Sequence, residues 1–324
     1  MKYQFCTLFD KNYFYRGLTM YFSLLQHCPD FTLWILCMDD IVYDQIKKMN
    51  LKNVEAIRLT DFEDTELLAI KPTRTLTEYC WTLSSSLPLY VLKKVPSVEY
   101  IAYLDSDLFF FSSPQPVYDE MGGNSIAIVR HNYSKELSAL ERKSGIYNVS
   151  MVIFKNDDRG IACLTWWRER CLEWCYARYE DGKFGDQVYL NEWPEKFPGT
   201  HIIKHKGINL APWNMNKYIL SEKDGQIFVD EDPLIYYHCH SFKMYAKNDF
   251  MLYNFSYLMF SYDVQLVYAP YKDKINDLID IMSEKYPEYI YGFDKRPDIR
   301  TKLIHALKKY FAFLLYYRSL KKVT

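Results

Sequence analysis

Short apolar, β-branched runs near Tyr3–Phe9, Leu33–Met38, Val54–Leu59, Tyr100–Leu104, Ser125–Val129 and Tyr147–Phe154 alternate through the first half of the chain with helix-like segments. A strand that is followed by a helix and then by another strand pairs most readily in parallel, with the helix crossing over the sheet. The alternation therefore predicts an α/β fold built on a βαβ sheet. Asp30, Asp39-Asp40, Asp61, Pro96-Ser97 and Gly122-Gly123-Asn124 interrupt the runs with turn-forming residues. Farther on, Gly160–Tyr179 reads as a long amphipathic helix and Gln187–Trp193 as a shorter one, with strands near His201–His205 and Leu234–His240. From about residue 250 the texture changes to Tyr-rich helical segments. The expected organisation is a compact domain over residues 1–250 and a helical, basic C-terminal extension over 251–324, with no internal repeat or low-complexity linker.

Hydrophobic residues make up 49% of the 324 positions and aromatics 18%, which excludes a disordered chain and supplies a large core. Formal net charge is −1, but residues 295–324 carry nine Lys/Arg against the single acid Asp298, so the tail is +8 and the rest of the chain −9. One short basic patch beside an acidic body argues against nucleic-acid binding. Within the tail, Lys302, Lys308, Lys309 and Arg318 flank the apolar stretch Tyr310–Tyr317, a pattern suited to the interface of an anionic membrane and equally to a docked terminal helix. The N-terminus has no apolar run of secretory-signal length, and the eight cysteines show no C-x-x-C spacing. The expectation is a cytoplasmic protein with reduced, buried thiols, peripheral on the inner face of the membrane if the tail binds lipid.

The most informative segment is Tyr100–Leu104 followed by Asp105, Ser106 and Asp107, a buried strand ending in two carboxylates at i,i+2. Strand periodicity puts both on one face, and the carboxyl ends of strands are where open α/β sheets bind ligands. Two hard oxygen donors there suit Mg²⁺ or Mn²⁺. A bare D-x-D also occurs in solvated turns. Here the aromatic run Phe109–Phe111 that follows would make burial beside two acids costly without a counter-charge. Asp186 and Gln187 stand at an apparent helix start, where Asp also serves as an N-cap. His238 and His240 share one face of a late strand, and either imidazole would complete a three-ligand site with the D-x-D.

Taken in order, these segments resemble the GT-A nucleotide-sugar glycosyltransferases, most closely the retaining family-8 type that includes glycogenin and bacterial lipopolysaccharide galactosyltransferases. The resemblance covers roughly residues 3–245 and implies a GT-A, Rossmann-like α/β fold with a mixed, mostly parallel sheet flanked by helices and a helical C-terminal extension. Thr7, Leu8, Asp10, Asn12-Tyr13 and Gly17 look like the family's first strand and helix, which contact the nucleotide. Asp105-Ser106-Asp107 matches its metal-binding D-x-D, and Tyr147-Asn148-Val149-Ser150 its F-N-S-G strand, whose asparagine holds the donor sugar. Asp186-Gln187 with Leu190-Asn191 is similar to its D-Q-D-x-L-N segment, and His238-Cys239-His240-Ser241 to the stretch that supplies the third metal ligand. Departures are Ser150 at a glycine position, an incomplete late H-x-x-G-x-x-K-P-W pattern with Lys243 near the lysine, and no basic residue on the helix around Glu78–Val91, although Lys71 and Arg74 lie near it.

The resemblance implies a cation, Mn²⁺ or Mg²⁺, held by Asp105, Asp107 and His238, with His240 as the alternative to the histidine. It further implies a nucleotide-sugar donor, UDP-linked in preference, contacted by Thr7, Leu8, Asp10, Tyr13, Asp105, Ser106 and Asn148. Asp186 and Gln187 become the candidate catalytic pair, acting with retention on a glycan or glycolipid acceptor in surface-polysaccharide or lipopolysaccharide synthesis. His205–Asn214, with Trp213, is a candidate acceptor wall. The rival readings are a haloacid-dehalogenase-type phosphotransferase, which would need a Thr or Val where Phe109 stands, and a nucleotide-sugar-binding protein without turnover. No G-x-G-x-x-G follows an early strand, which argues against a dinucleotide oxidoreductase.

Overall fold

The computed structural model describes residues 2–254, 257 and 261–297. In chain order, β1 (Tyr3–Phe9), α1 (Phe14–His27), β2 (Phe31–Cys37), α2 (Asp40–Met49) and β3 (Val54–Arg58) make the first alternating run. Two short helices, α3 (Leu59–Phe62) and α4 (Thr65–Ile70), precede the long α5 (Leu76–Lys94), which leads into β4 (Tyr100–Leu104) and β5 (Leu108–Phe110). Then come α6 (Gln115–Met121), β6 (Ile126–Arg130), α7 (Glu141–Ser144), β7 (Tyr147–Lys155) and α8 (Asp158–Glu173). The chain continues through α9 (Trp193–Lys196), β8 (Thr200–Ile202), β9 (Leu220–Lys223), β10 (Gln226–Val229), β11 (Asp232–Pro233), β12 (Tyr236–His238), β13 (Lys243–Ala246), β14 (Asp249–Met251) and α10 (Ser261–Lys285).

The central sheet has the order β3-β2-β1-β4-β7-β6-β8. Strands β3, β2, β1 and β4 run parallel, as does the β6–β8 pair, while β7 is antiparallel to both β4 and β6. It is thus the mixed, mostly parallel sheet that the resemblance implies, the alternation accounting for its parallel strands. Period-2 alternation divides β1 between two core layers. Phe5 and Phe9 pack with Leu18 of α1, and Cys6 and Leu8 pack with Leu83 and Leu87 of α5 and Trp167 of α8. Helix α10 adds Val267, Tyr268, Tyr271, Ile275 and Met282 to the layer that holds α1.

Local chemistry sets the helix boundaries. Asp39 caps α2 by accepting from Val42 N (2.9 Å), and Thr75 with Glu78 forms a reciprocal capping box at α5. Asp157 caps α8 by accepting from Gly160 N (2.9 Å), and α8 packs so closely that a Cβ on Gly160 would lie 2.1 Å from Lys155 O. The helix expected over Gly160–Tyr179 ends earlier, at Glu173. Trp174 is extended, and the following loop turns through Gly182 and Gly185 at positive φ. The shorter helix expected at Gln187–Trp193 is a 3-10 turn over Val188–Glu192, continued by α9.

No helix among the described residues is long and apolar enough to cross a membrane. All eight cysteines are free, Cys80 half-buried and the others buried. The basic stretch 299–320 lies outside the described residues.

Candidate active site

A cavity of about 630 Å³ opens where the carboxyl ends of β1 and β4 meet. It lies outside the strand ends, where the crevice of an α/β sheet falls. Leu8, Phe9, Asp10 and Tyr13 line one side. Asp10 shapes that turn, accepting from Asn12 N and Tyr13 N (both 3.0 Å) and from Asn12 Nδ2 (2.7 Å). Thr7 does not reach the cavity. It is fully buried and its hydroxyl has no partner among the described residues. A strand rises a little over 3 Å per residue, so a side chain two positions before the strand's end stays inside the sheet.

At the floor, β4 ends in the bend that carries Asp105, Ser106 and Asp107, all of which line the cavity. The chain then forms β5, which pairs antiparallel with β12 so that Leu108 faces His238. This register delivers His238 beside the two acids. Its Nε2 lies 3.1 Å from Asp107 Oδ1 and 3.8 Å from Asp105 Oδ2. His240 joins from the residues just past β12. One donor atom each from Asp107, His238 and His240 fall within 4.8 Å of one another. Asp105 is next to this group without belonging to it, so the geometry brings both histidines to Asp107 where the sequence left a choice between them.

The charges in this corner are strongly interdependent. Burial pushes Asp105 up to about 6, against the pull of His238 and with the help of the Asp107 charge. Burial would raise Asp107 as well, but the charge and hydrogen bond of His238 outweigh it and hold that carboxyl at about 2. For His238, burial favours the neutral ring and Asp107 overrides it, so its pKa lies above the usual value. His240 is pushed down to about 4 by burial and by the nearby His238 charge. Nδ1 of His238 is buried with no partner among the described residues. Carboxylate oxygens and imidazole nitrogens gathered at one point are the donor set of a divalent cation such as Mn²⁺ or Mg²⁺.

The opposite wall carries Asp186 and Gln187. Gly185 precedes them at φ +55°, which favours glycine, and a Cβ there would crowd the Trp81 ring at 3.2 Å. Asp186 is held at both ends. Ser84 Oγ of α5 donates to its Oδ2 (2.7 Å), and Trp167 Nε1 of α8 donates to its backbone oxygen (2.9 Å). Burial pushes the Asp186 carboxyl up to about 7, the Ser84 hydroxyl pulls it back, and the Asp105 charge adds to the rise. Asn191, in the following turn, ties this wall to the start of β7 by accepting from Ile146 N (2.9 Å).

Between the two walls, Asn148 of β7 lines the cavity. Its Oδ1 accepts from Ser150 N (3.0 Å) and its Nδ2 lies 3.1 Å from His131 Nε2. With the amide donating, His131 accepts at Nε2 and carries its proton on Nδ1. Ser150 points elsewhere, its hydroxyl 3.0 Å from Asn209 Oδ1 and 3.1 Å from Tyr236 OH. The remaining rim is aromatic. Tyr133 stacks on His131 (4.8 Å), and the Trp213 ring meets those of His238 (5.1 Å) and His240 (5.3 Å) edge to face.

Lys71, Arg74 and Lys243, the basic residues weighed against the family's pattern, do not line the cavity. Lys71 pairs with Glu63 (2.6 Å), the Arg74 guanidinium lies 3.8 Å from the Tyr176 ring centroid, and Lys243 pairs with Asp294 (3.1 Å). Lys143 is the cavity's one Lys or Arg among the described residues. Ser84 and His131 were not visible as site residues in the sequence. Each reaches the site through a partner distant in the chain, and neither sits in a motif.

A family model described as glycosyl transferase family 8 matches residues 5–243. Two proteins of Bacillus subtilis (strain 168), both called uncharacterized, are similar over almost their whole length. YfnD is 32% identical across 90% of this chain and 94% of its own, and YfnF is 33% identical across 91% and 98%. Among solved structures, galactosyltransferase LgtC, crystallised with donor and acceptor sugar analogs, superposes with a TM-score of 0.51 at 15% identity. That likeness covers 72% of this chain and 86% of LgtC, and is one of fold.

Proposed function

The chain belongs to glycosyl transferase family 8, and from that premise we propose that it transfers a sugar from a nucleotide-diphosphate donor, UDP-linked in preference, to a glycan or glycolipid acceptor with retention of anomeric configuration. The observation that carries this reading is the meeting of Asp105, Asp107, His238 and His240 on the floor of a cavity at the strand ends. Asp105, Asp107 and His238, with His240 beside them, would hold Mn²⁺ or Mg²⁺. Such a cation, when bound, supplies the positive charge that a departing diphosphate needs. A cavity whose side chains include four aspartates and a single lysine has little positive charge of its own to offer it.

In this reading Leu8, Asp10 and Tyr13 receive the nucleotide, with Ser106 at the floor. Asn148 and Gln187 donate and accept hydrogen bonds at the sugar. Asp186, fixed by Ser84 and Trp167, orients the sugar ring and faces the reacting centre as a carboxylate. The acceptor hydroxyl enters past Tyr133 and Trp213, whose rings offer apolar faces to a second sugar. Surface-polysaccharide or lipopolysaccharide synthesis is the setting proposed for this transfer.

The test is release of nucleotide diphosphate from UDP-, GDP-, ADP- and CDP-sugars and of CMP from CMP-sialic acid, with Mn²⁺, Mg²⁺ or EDTA. Turnover of one donor that EDTA abolishes, and that Asp105→Asn also abolishes, is the expected result. Tight donor binding with no turnover under any condition would instead mark a binding protein.

A further inference from the structure

Beyond α10 the chain turns back across the start of α1. The Tyr289 ring packs on Phe14 (centroids 4.4 Å apart) and its hydroxyl donates to Lys11 O (3.1 Å). Gly292 sits at φ +97°, where a Cβ would lie 2.4 Å from Tyr15 Cδ2, so the backbone crosses α1 in contact with that ring. Two residues later Asp294 meets Arg16. This arginine is buried and joins separate parts of the molecule. Its Nη1 donates to Asn12 O (2.9 Å), and its Nη2 to Phe242 O (3.0 Å) and Asp294 Oδ2 (2.5 Å). Its guanidinium also lies 4.6 Å from the centroid of the Tyr13 ring.

Asp294 holds the other side of the junction. It accepts from Met244 N (2.9 Å) and from Lys243 Nζ (3.1 Å), and its own N–H donates to Met244 O (2.6 Å). Residues 242–244 follow His238 and His240 directly, and Tyr13 lines the cavity's other side. One carboxylate therefore ties the Tyr13 edge of the cavity to the segment that carries both histidines. A buried guanidinium with no counter-charge is strongly unfavourable, and the counter-charge here comes from position 294, well beyond the end of the family match at 243.

We propose that Asp294 is a positioning residue of the donor site, and that residues 286–296 form a strap holding Tyr13, through Arg16, in register with His238 and His240. The inference rests on the cavity being the nucleotide-sugar site. The guanidinium against Tyr13 keeps that ring in the orientation a nucleotide would meet. The strap fixes where the nucleotide lies relative to the floor of the cavity and takes no part in bond breaking, so its loss acts on donor binding and spares the chemical step.

The experiment compares wild type with Asp294→Asn, Asp294→Glu and Gly292→Ala. It measures donor KM, acceptor KM and kcat with the best donor of the panel, and calorimetric Kd for UDP, GDP, ADP and CDP in the presence of Mn²⁺. The Arg16–Asp294 bond is present with and without nucleotide, so its loss reaches binding only by displacing Tyr13, an indirect effect of about two- to thirtyfold. Asp294→Asn is expected to raise donor KM and nucleotide Kd by about that factor, with kcat within about twofold and acceptor KM unchanged. Gly292→Ala, which lifts the strap from Tyr15, is expected to give the same split, and Asp294→Glu to recover part of the loss. Unchanged donor KM and nucleotide Kd in either Asp294→Asn or Gly292→Ala would overturn the inference while leaving the transferase reading intact. Wild-type protein that binds no nucleotide and turns over no donor would overturn both.

Discussion

Among the described residues Ser84 is the one side chain whose hydroxyl donates to Asp186, with Trp81 O as its other acceptor at the same 2.7 Å, and replacing it by alanine has a consequence that can be worked through. The carboxyl is buried and sits at about 7, with the Ser84 hydrogen bond at 2.7 Å opposing the rise. A hydrogen bond to a charged acceptor is worth about 1.5–3 kcal/mol. One pH unit in a pKa corresponds to about 1.36 kcal/mol, so without Ser84 the carboxylate forms about one to two pH units higher. The sign follows from the donor, which favours the ionised form, so its loss favours the protonated one. If the ionised carboxylate orients the sugar, the acid limb of kcat/KM against pH moves upward by that amount. A cation at Asp105 removes the part of the rise due to that neighbour's charge, which lowers the limb in both proteins and leaves their difference. Below both midpoints Ser84→Ala therefore loses about ten- to a hundredfold relative to wild type, and above both the two enzymes converge. The assay is diphosphate release from pH 5 to 10 at saturating metal, with circular dichroism and melting curves confirming that the variant is folded. A loss of the same factor at every pH would refute the reasoning, as would a wild-type profile flat between pH 5 and 8.

Asp107→Asn keeps the shape of the site and removes the carboxylate closest to His238 (3.1 Å), so the rise in melting temperature on adding Mn²⁺ should vanish along with turnover, and near-normal activity would sink the metal assignment. Gly160→Ala tests the packing of α8 on the sheet. The new methyl would lie 2.1 Å from Lys155 O, overpacking of this kind costs about 1–3 kcal/mol, and a melting temperature equal to wild type would show that α8 can shift freely.

Several features of the site were legible because they are local. The strand that carries Asp105 and Asp107 announces itself by its apolar run, and its carboxyl end is where the sheet opens. Asp186 and Gln187 read as a helix start, and they directly precede the 3-10 turn over Val188–Glu192, although neither side chain caps it. The histidine ambiguity could not be resolved that way. The strand expected through His240 ends at His238, so His240 comes from the turn that follows it, and the pairing of Leu108 with His238 is what brings both to Asp107. Thr7 lies outside the cavity lining for a related reason, since its motif fixes position along the strand but not depth behind the strand's end. Lys243 lies near the family's lysine position, and its ammonium is engaged by Asp294, which no local pattern connects to it.

The sequence by itself determined the class of sheet, the strand that delivers the acids, and the helix caps, because periodicity and capping act within a few residues of one another. The tertiary structure decided what surrounds those acids. Ser84 reaches Asp186 across 102 positions and Arg16 reaches Asp294 across 278. Contacts at such separations arise from how helices pack on a sheet, and the free energy that selects them is spread over the whole core.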